Sequence, residues 1–313
     1  MKIIKIAPRG YCSGVINALN IVQDAAANKS LPRPIYVLGM IVHNEHITKA
    51  IADLGVITVD NKKKTRLELL DEIDYGTVIF TAHGISPAVQ EKASAKGLTY
   101  IDASCKDVIK THNLMKEYIL SGYEIIYIGK KGHPETEGSL GIDLNHIHLV
   151  SNTHDLNILT LTNDRIVITN QTTMSLWDVY SLSKEIQNKF PKAEFIKEIC
   201  NATQVRQEAV ASMAKEADLT LVVGDPHSNN TARLAQISEE LAHVPSHRIA
   251  SLDDLNLDWL TNIETIAVTS GASTPTPITK EVIDFLEQYD SQNPQTWNTT
   301  SNISPDKILF KRK

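Results

Sequence analysis

LTYIDASCKDVIKTHNLMKEYILSGYEIIYIG, residues 98–129, reads as a strand, a helix and a second strand, with Cys105 at the first junction and Gly129 closing the second strand. Apolar residues on the helical part recur three and four apart, as at Leu114, Tyr118 and Ile119, which is the spacing of one buried face. The same order occurs twice more. KIIKIAPRGYC (2–12) leads into SGVINALNIVQDAAA and then PIYVLG, ending at Gly39. AEFIKEIC (193–200) leads into NATQVRQEAVASMAKEA and then LTLVVG, ending at Gly224. The cysteines are 93 and 95 residues apart, and the glycines follow them by 27, 24 and 24 residues.

The correspondence continues downstream. Each glycine opens a polar loop holding a histidine: MIVHNEH, KKGHPETEG and DPHSNNT. A third apolar run then ends in a small polar cluster: TVIFTAHGIS, RIVITNQTTMS and TIAVTSGAST. Strands alternating with helices imply parallel sheets, and ligands bind outside the carboxyl ends of such strands. The expected fold is α/β: three pseudo-symmetric units with mostly parallel sheets around a central cluster cavity. The boundaries expected are 14–104 for the first unit, 105–199 for the second, and 200–290 together with 1–13 for the third. In that arrangement the N-terminal strand completes the third unit's sheet. Residues 291–313 are polar and fall outside the repeat, so they read as a surface extension or disordered tail.

Composition excludes several classes. A net charge of −6 argues against a general nucleic-acid or anionic-membrane binder. No run approaches a membrane span, and the first residues lack a signal-peptide pattern, so a cytoplasmic protein is expected. Three cysteines in 313 residues do not make a disulfide framework. Lys62–Lys64 and Lys130–Lys131 read as solvated surface charge.

Three cysteines at strand ends and helix N-termini point to a shared ligand, because thiolates brought together repel without a cation or cluster. A structural zinc site would want a fourth ligand and close C-x-x-C pairs, which this sequence lacks. An iron–sulfur cluster tolerates long spacings, and three thiolates leave one iron open for chemistry on a bound molecule. His43, His83, His133, Ser228, Asn230 and Ser273 add hydrogen-bond donors suited to a phosphate or diphosphate. Neither a P-loop nor a dinucleotide fingerprint is present. Glu135, two residues after His133, is placed either to hold a proton for donation or to sit as a first-turn acid on the next helix.

Taken together, PRGYCSGV, IVHN, TAHGIS, DASC, GHPETEG, NQTTMS, ICNATQVRQEAV, HSNNTARL and SGAST resemble the 4-hydroxy-3-methylbut-2-enyl diphosphate reductase (LytB/IspH) family over nearly the whole chain. The resemblance implies a [4Fe–4S] cluster on Cys12, Cys105 and Cys200, whose open iron takes the substrate hydroxyl. It implies that His43, His83, His133, Thr172, Thr173, Ser228, Asn229, Asn230 and Ser273 bind the allylic diphosphate. Glu135, with Thr172 and His133, would relay protons. The products would be isopentenyl and dimethylallyl diphosphate, the last step of the non-mevalonate isoprenoid pathway. Ferredoxin or flavodoxin would supply electrons to a monomer. Two departures stand out. Lys106 follows the second cysteine where the family often has proline, and GDPHSNN stands for GSKNSSN, which puts Asn229 at a serine position and leaves His227 without a role. An iron–sulfur hydro-lyase and a cluster-based redox sensor are the alternatives. The hydro-lyase would need no external electrons, and the sensor would need a DNA- or partner-binding module.

Overall fold

The computed structural model describes residues 1–309. The first third of the chain holds β1 (Lys2–Lys5), α1 (Ser13–Ala27), β2 (Ile35–Leu38), α2 (Glu45–Ala52), β3 (Val56–Val59), α3 (Arg66–Leu69), β4 (Thr77–Phe80), α4 (Pro87–Ala95) and β5 (Thr99–Asp102). The second holds α5 (Lys106–Leu120), β6 (Glu124–Ile128), α6 (Pro134–Leu140), β7 (Ile147–Val150), α7 (Thr153–Ile158), β8 (Ile166–Asn170), α8 (Leu176–Lys189) and β9 (Glu194–Phe195). The last holds α9 (Asn201–Met213), β10 (Leu219–Val223), α10 (Asn229–Glu240), β11 (Ser246–Ile249), β12 (Thr265–Ser270), α11 (Thr276–Gln288) and α12 (Pro305–Ile308).

The strands form three four-stranded sheets, A (β1-β12-β10-β11), B (β5-β4-β2-β3) and C (β9-β8-β6-β7). Every pairing is parallel. Written in this direction the three orders are the same: the strand before a cysteine, the third strand of the repeat, the second, then an edge strand. The N-terminal strand β1 lies beside β12 with Lys2 opposite Thr265. The chain divides into two compact bodies. One contains residues 1–15, 43–53 and 201 onward and is built on sheet A. The other contains residues 16–42 and 54–200 and holds sheets B and C. His43 and α2, which follow the second strand of the first repeat, therefore belong to the sheet-A body.

Sheet C shows why the strand sequences are apolar throughout rather than alternating. Ile126, Ile128, Ile166 and Ile168 pack on Val179, Leu182 and Ile186 of α8. Ile125, Tyr127 and Val167 point the other way, onto Met115 of α5 with Leu114, Tyr118 and Ile119 beside it. A parallel sheet covered on both faces needs apolar residues at odd and even positions alike. In sheet B, Val78 and Phe80 pack with Leu69, Val89 and Ala93 in the same way.

Among the described residues after 291, several are fastened to the rest of the fold. Ser301 and Asn302 bond to Glu281 of α11, and Ile308 in α12 is 3% exposed. These polar residues are held by hydrogen bonds to neighbouring side chains together with buried Ile308. Residues 310–313 of the expected tail lie outside the described residues.

Gly224 at the end of β10 marks a tight passage: its φ is +154°, and a Cβ would stand 2.5 Å from Thr231 Oγ1 and 2.7 Å from Thr274 Oγ1. Replacing it with alanine combines backbone strain with overpacking. Gly224→Ala is expected to lower stability by about 2–4 kcal/mol, read as an earlier midpoint in urea; an unchanged midpoint would show that this passage has slack.

Candidate functional site

Each cysteine donates its backbone N–H to a carbonyl beyond the neighbouring strand, and this bond is the same in all three sheets. Cys12 N–H donates to Ala272 O at 3.0 Å, Cys105 N–H to Ala82 O at 3.0 Å, and Cys200 N–H to Thr172 O at 3.1 Å. The acceptors stand two residues past the ends of β12, β4 and β8, which are equivalent strands. Each cysteine also immediately precedes a helix of at least 13 residues: α1, α5 and α9. All three are half-buried thiols outside any disulfide. The donor set therefore suits a cluster held by three thiolates: soft ligands, each at the positive end of a helix dipole.

In the sheet-A body, Ser273 Oγ donates to His43 O at 3.1 Å, which joins two expected site residues. Ser228 caps α10 and accepts from Thr231 N. Asn229 and Asn230 form the first turn of that helix. Asn230 is only 5% exposed, and neither its amide oxygen nor its amide nitrogen has a hydrogen-bond partner. A buried amide unsatisfied at both ends is costly, and a polar ligand would satisfy it. Asp225 was not expected. It is buried, accepts Glu45 N–H at 3.0 Å through one oxygen and His227 N–H at 2.8 Å through the other. It thus ties the His43 segment to the Ser228 loop, and its place directly after the strand-ending Gly224 was the signal available.

In the two-sheet body, the ends of β4, β6 and β8 bring together His83, His133, Glu135 and Thr172. The rings of His83 and His133 meet edge to face at 5.6 Å. His133 caps α6, and its Nδ1 accepts Glu135 N–H at 3.1 Å, so the proton of the neutral ring lies on Nε2, where it can be donated. Glu135 is 2% exposed; its two oxygens accept from Thr172 N at 2.6 Å and from Thr172 Oγ1 at 3.1 Å. Burial dominates these bonds and pushes the Glu135 carboxyl up to about 7. Thr173 Oγ1 accepts from Gln171 Nε2 at 2.9 Å.

Further residues around these elements set this geometry. Gln171 Oε1 accepts from Lys130 N and Thr136 Oγ1, which fixes the GHPETEG loop against β8. Asn170 Oδ1 accepts Glu198 N–H, and buried Glu198 pairs with Lys110 at 2.8 Å. Glu198 stands two residues before Cys200 and Lys110 five after Cys105, so this pair holds the two cysteine-bearing segments in register. Burial lowers His112 on α5 to about 4, and its neutral ring meets Ser139 Oγ of α6 at 3.2 Å.

The chain is similar to known proteins over nearly its whole length. Residues 3–287 match the family described as LytB protein. A Bacillus cytotoxicus protein named 4-hydroxy-3-methylbut-2-enyl diphosphate reductase is 60% identical over 99% of this chain and 98% of its own. A Geobacillus relative of the same name is 58% identical over 100% and 99%. Among solved structures, the E-1-hydroxy-2-methyl-but-2-enyl-4-diphosphate reductase from Plasmodium falciparum is similar with a TM-score of 0.85 at 32% identity, covering 98% of this chain and 96% of that one.

Because Glu135 binds its proton more tightly folded than unfolded, it favours the native state below its ordinary pKa of 4.5, and this advantage is lost as pH rises through about 7. Glutamine does not titrate. Relative to the wild type, Glu135→Gln should therefore gain up to about 3 kcal/mol in stability between pH 4.5 and pH 8. Urea unfolding at both pH values measures it; parallel curves would mean that the buried carboxyl is not perturbed.

Proposed function

The chain belongs to the LytB family and is a reductase of 4-hydroxy-3-methylbut-2-enyl diphosphate; we propose that it works through a [4Fe–4S] cluster held by Cys12, Cys105 and Cys200. The observation that carries this is the thrice-repeated bond from a cysteine amide to the carbonyl beyond the neighbouring strand. When bound, such a cluster supplies electrons one at a time and leaves one iron open to the substrate.

The chain's own residues supply anion binding and protons. Asn230, Ser228 and Asn229 present an amide, a hydroxyl and the N-terminus of a 12-residue helix to the diphosphate. His43 and Ser273 add donors beside them. The Ser273 proton goes to His43 O in the substrate-free protein, so that hydroxyl must rotate to grip phosphate. His83, Thr173 and the Nε2–H of His133 are further donors. Glu135, with a carboxyl near 7, keeps about half of its protons at neutral pH, where an ordinary glutamate would have lost nearly all of them. Thr172 holds both of its oxygens and so fixes where that proton lies. The reaction consumes two electrons and two protons: the allylic C–O bond breaks, a C–H bond forms and water departs. Glu135 delivers the proton that makes hydroxide leave as water. The products are isopentenyl and dimethylallyl diphosphate, and a ferredoxin or flavodoxin supplies the electrons to a cytoplasmic monomer. Among the described residues no helix is long and apolar enough to cross a membrane.

The test is anaerobic. The reconstituted protein should oxidise reduced methyl viologen only when 4-hydroxy-3-methylbut-2-enyl diphosphate is added. A protein with an intact cluster and no such oxidation would defeat the proposal and favour the hydro-lyase. Cys105→Ser should lose iron and activity together, whereas Glu135→Gln should keep iron and turn over at least about 100-fold more slowly. Asn230→Ala removes an unsatisfied buried amide, so it should be at least as stable as the wild type while KM rises about tenfold or more; an unchanged KM would remove Asn230 from the diphosphate site.

A further inference from the structure

We propose that residues 301–308 form a strap that positions Cys12, with Tyr11 and Ile308 as its positioning residues. The strap is anchored in three steps, all within the sheet-A body. After α11 the chain turns at Asp290, whose carbonyl accepts Trp297 Nε1–H at 2.9 Å. It then fastens to the side of α11: Ser301 Oγ and Asn302 N donate to the two oxygens of Glu281 at 2.6 and 2.7 Å, and Ser301 N donates to Asp253 Oδ1 at 2.9 Å. Finally α12 packs against α2 and α11, Ile308 is buried, and Tyr11 Oη donates to Ile308 O at 3.1 Å.

That last bond joins the end of the described chain to the residue directly before Cys12. The loop around Cys12 is also held at its backbone, and the Arg9 side chain folds back onto Lys5 O and Ile6 O. Gly10 N donates to Ser270 Oγ at 2.7 Å, Gly10 O accepts from Arg206 Nη2 at 2.8 Å, and Cys12 N donates to Ala272 O. The loop before Cys200 has side-chain anchors near at hand, in Asn170 and the Glu198–Lys110 pair. For Cys12, a side-chain anchor comes from 297 residues away in sequence. The strap also packs on α2, the helix that follows His43, so it braces two site segments of this body at once.

Ordering this stretch costs backbone and side-chain entropy, and few buried apolar atoms offset that cost. The strap therefore sits at the low-stability end of the fold and opens locally before the sheets do. Opening releases Tyr11 and loosens the segment that bears Cys12, while Cys105 and Cys200, which belong to the other body, keep their anchors. The importance of this for catalysis rests on Cys12 being a cluster ligand. The geometry and its test do not, so failure of one leaves the other standing.

The experiment alkylates the full-length, metal-free protein with iodoacetamide and follows each cysteine by peptide mass spectrometry. In Tyr11→Phe and in Ile308→Asp, Cys12 should react about fivefold faster or more than in the wild type, with Cys105 and Cys200 within about twofold. Ile308→Leu, which keeps an apolar anchor, should restore the wild-type rate. Equal acceleration of all three thiols in Tyr11→Phe would mean general loosening and would overturn the proposal, as would an unchanged Cys12 rate in both variants.

Discussion

A backbone hydrogen bond repeated three times organises this molecule. In each sheet, the amide of a cysteine reaches the carbonyl two residues beyond the next strand. Because the bond is made by main chain, it places no demand on the acceptor's side chain, which is alanine twice and threonine once. The demand falls on topology instead. The strand before the cysteine must lie parallel beside the third strand of its repeat, in register. Parallel pairing with helical crossovers is the arrangement that delivers this, and it leaves the carboxyl ends of the strands open for a ligand. The sequences of the three units differ widely around that bond.

Those differences bear on what can be read from the sequence and what cannot. Cys12, Cys105 and Cys200 announce themselves by even spacing, and the strand-ending glycines by their constant distance from them. The apolar runs EIIYI and LTLVV mark doubly covered strands. Gln171, Asn170 and Glu198 carry no such signature, and Asp225 only its place after Gly224, because each acts by accepting a backbone or neighbouring side-chain donor that only the folded loop brings near. An acceptor role leaves no periodicity. Membership of α2 in the sheet-A body was hidden for a related reason: the segment is joined there by Glu45 N to Asp225 and by Ser273 to His43 O, bonds made at separations of 180 and 230 residues. The polar composition of residues 301–308 leaves a surface extension and a disordered tail equally open, since hydrogen bonds to Glu281 do much of the anchoring that a longer apolar run would otherwise do.

Glu135 shows two physical effects opposed at one atom pair. Hydrogen bonds from Thr172 N and Oγ1 stabilise the carboxylate; complete burial destabilises it, and burial is the larger effect. The balance is informative. With burial alone the group would stay protonated well above neutrality and would not give the proton up readily; with the Thr172 bonds alone it would hold none to give. A carboxyl near 7 is poised to release and recover a proton, and Thr172 also sets its direction. Burial pushes the neighbouring Tyr127 phenol well up, and the negative charge of Glu135 adds to it, so that ring stays neutral and does not compete for the proton.

Asn230 and Glu135 have one property in common: each costs the substrate-free fold something it does not recover. A buried amide with both ends unsatisfied forfeits on the order of 1–3 kcal/mol, and a carboxyl shifted upward by burial forfeits a comparable amount once it ionises. A structure selected for stability alone would place alanine or leucine at both positions. Such costs persist where a bound molecule recovers them, and the proposed function supplies one for each: on that proposal a diphosphate would accept what the Asn230 amide offers, and a departing hydroxyl would take what Glu135 holds. The interaction energy is then realised with substrate in place rather than in the empty protein, which is where a catalyst gains from it.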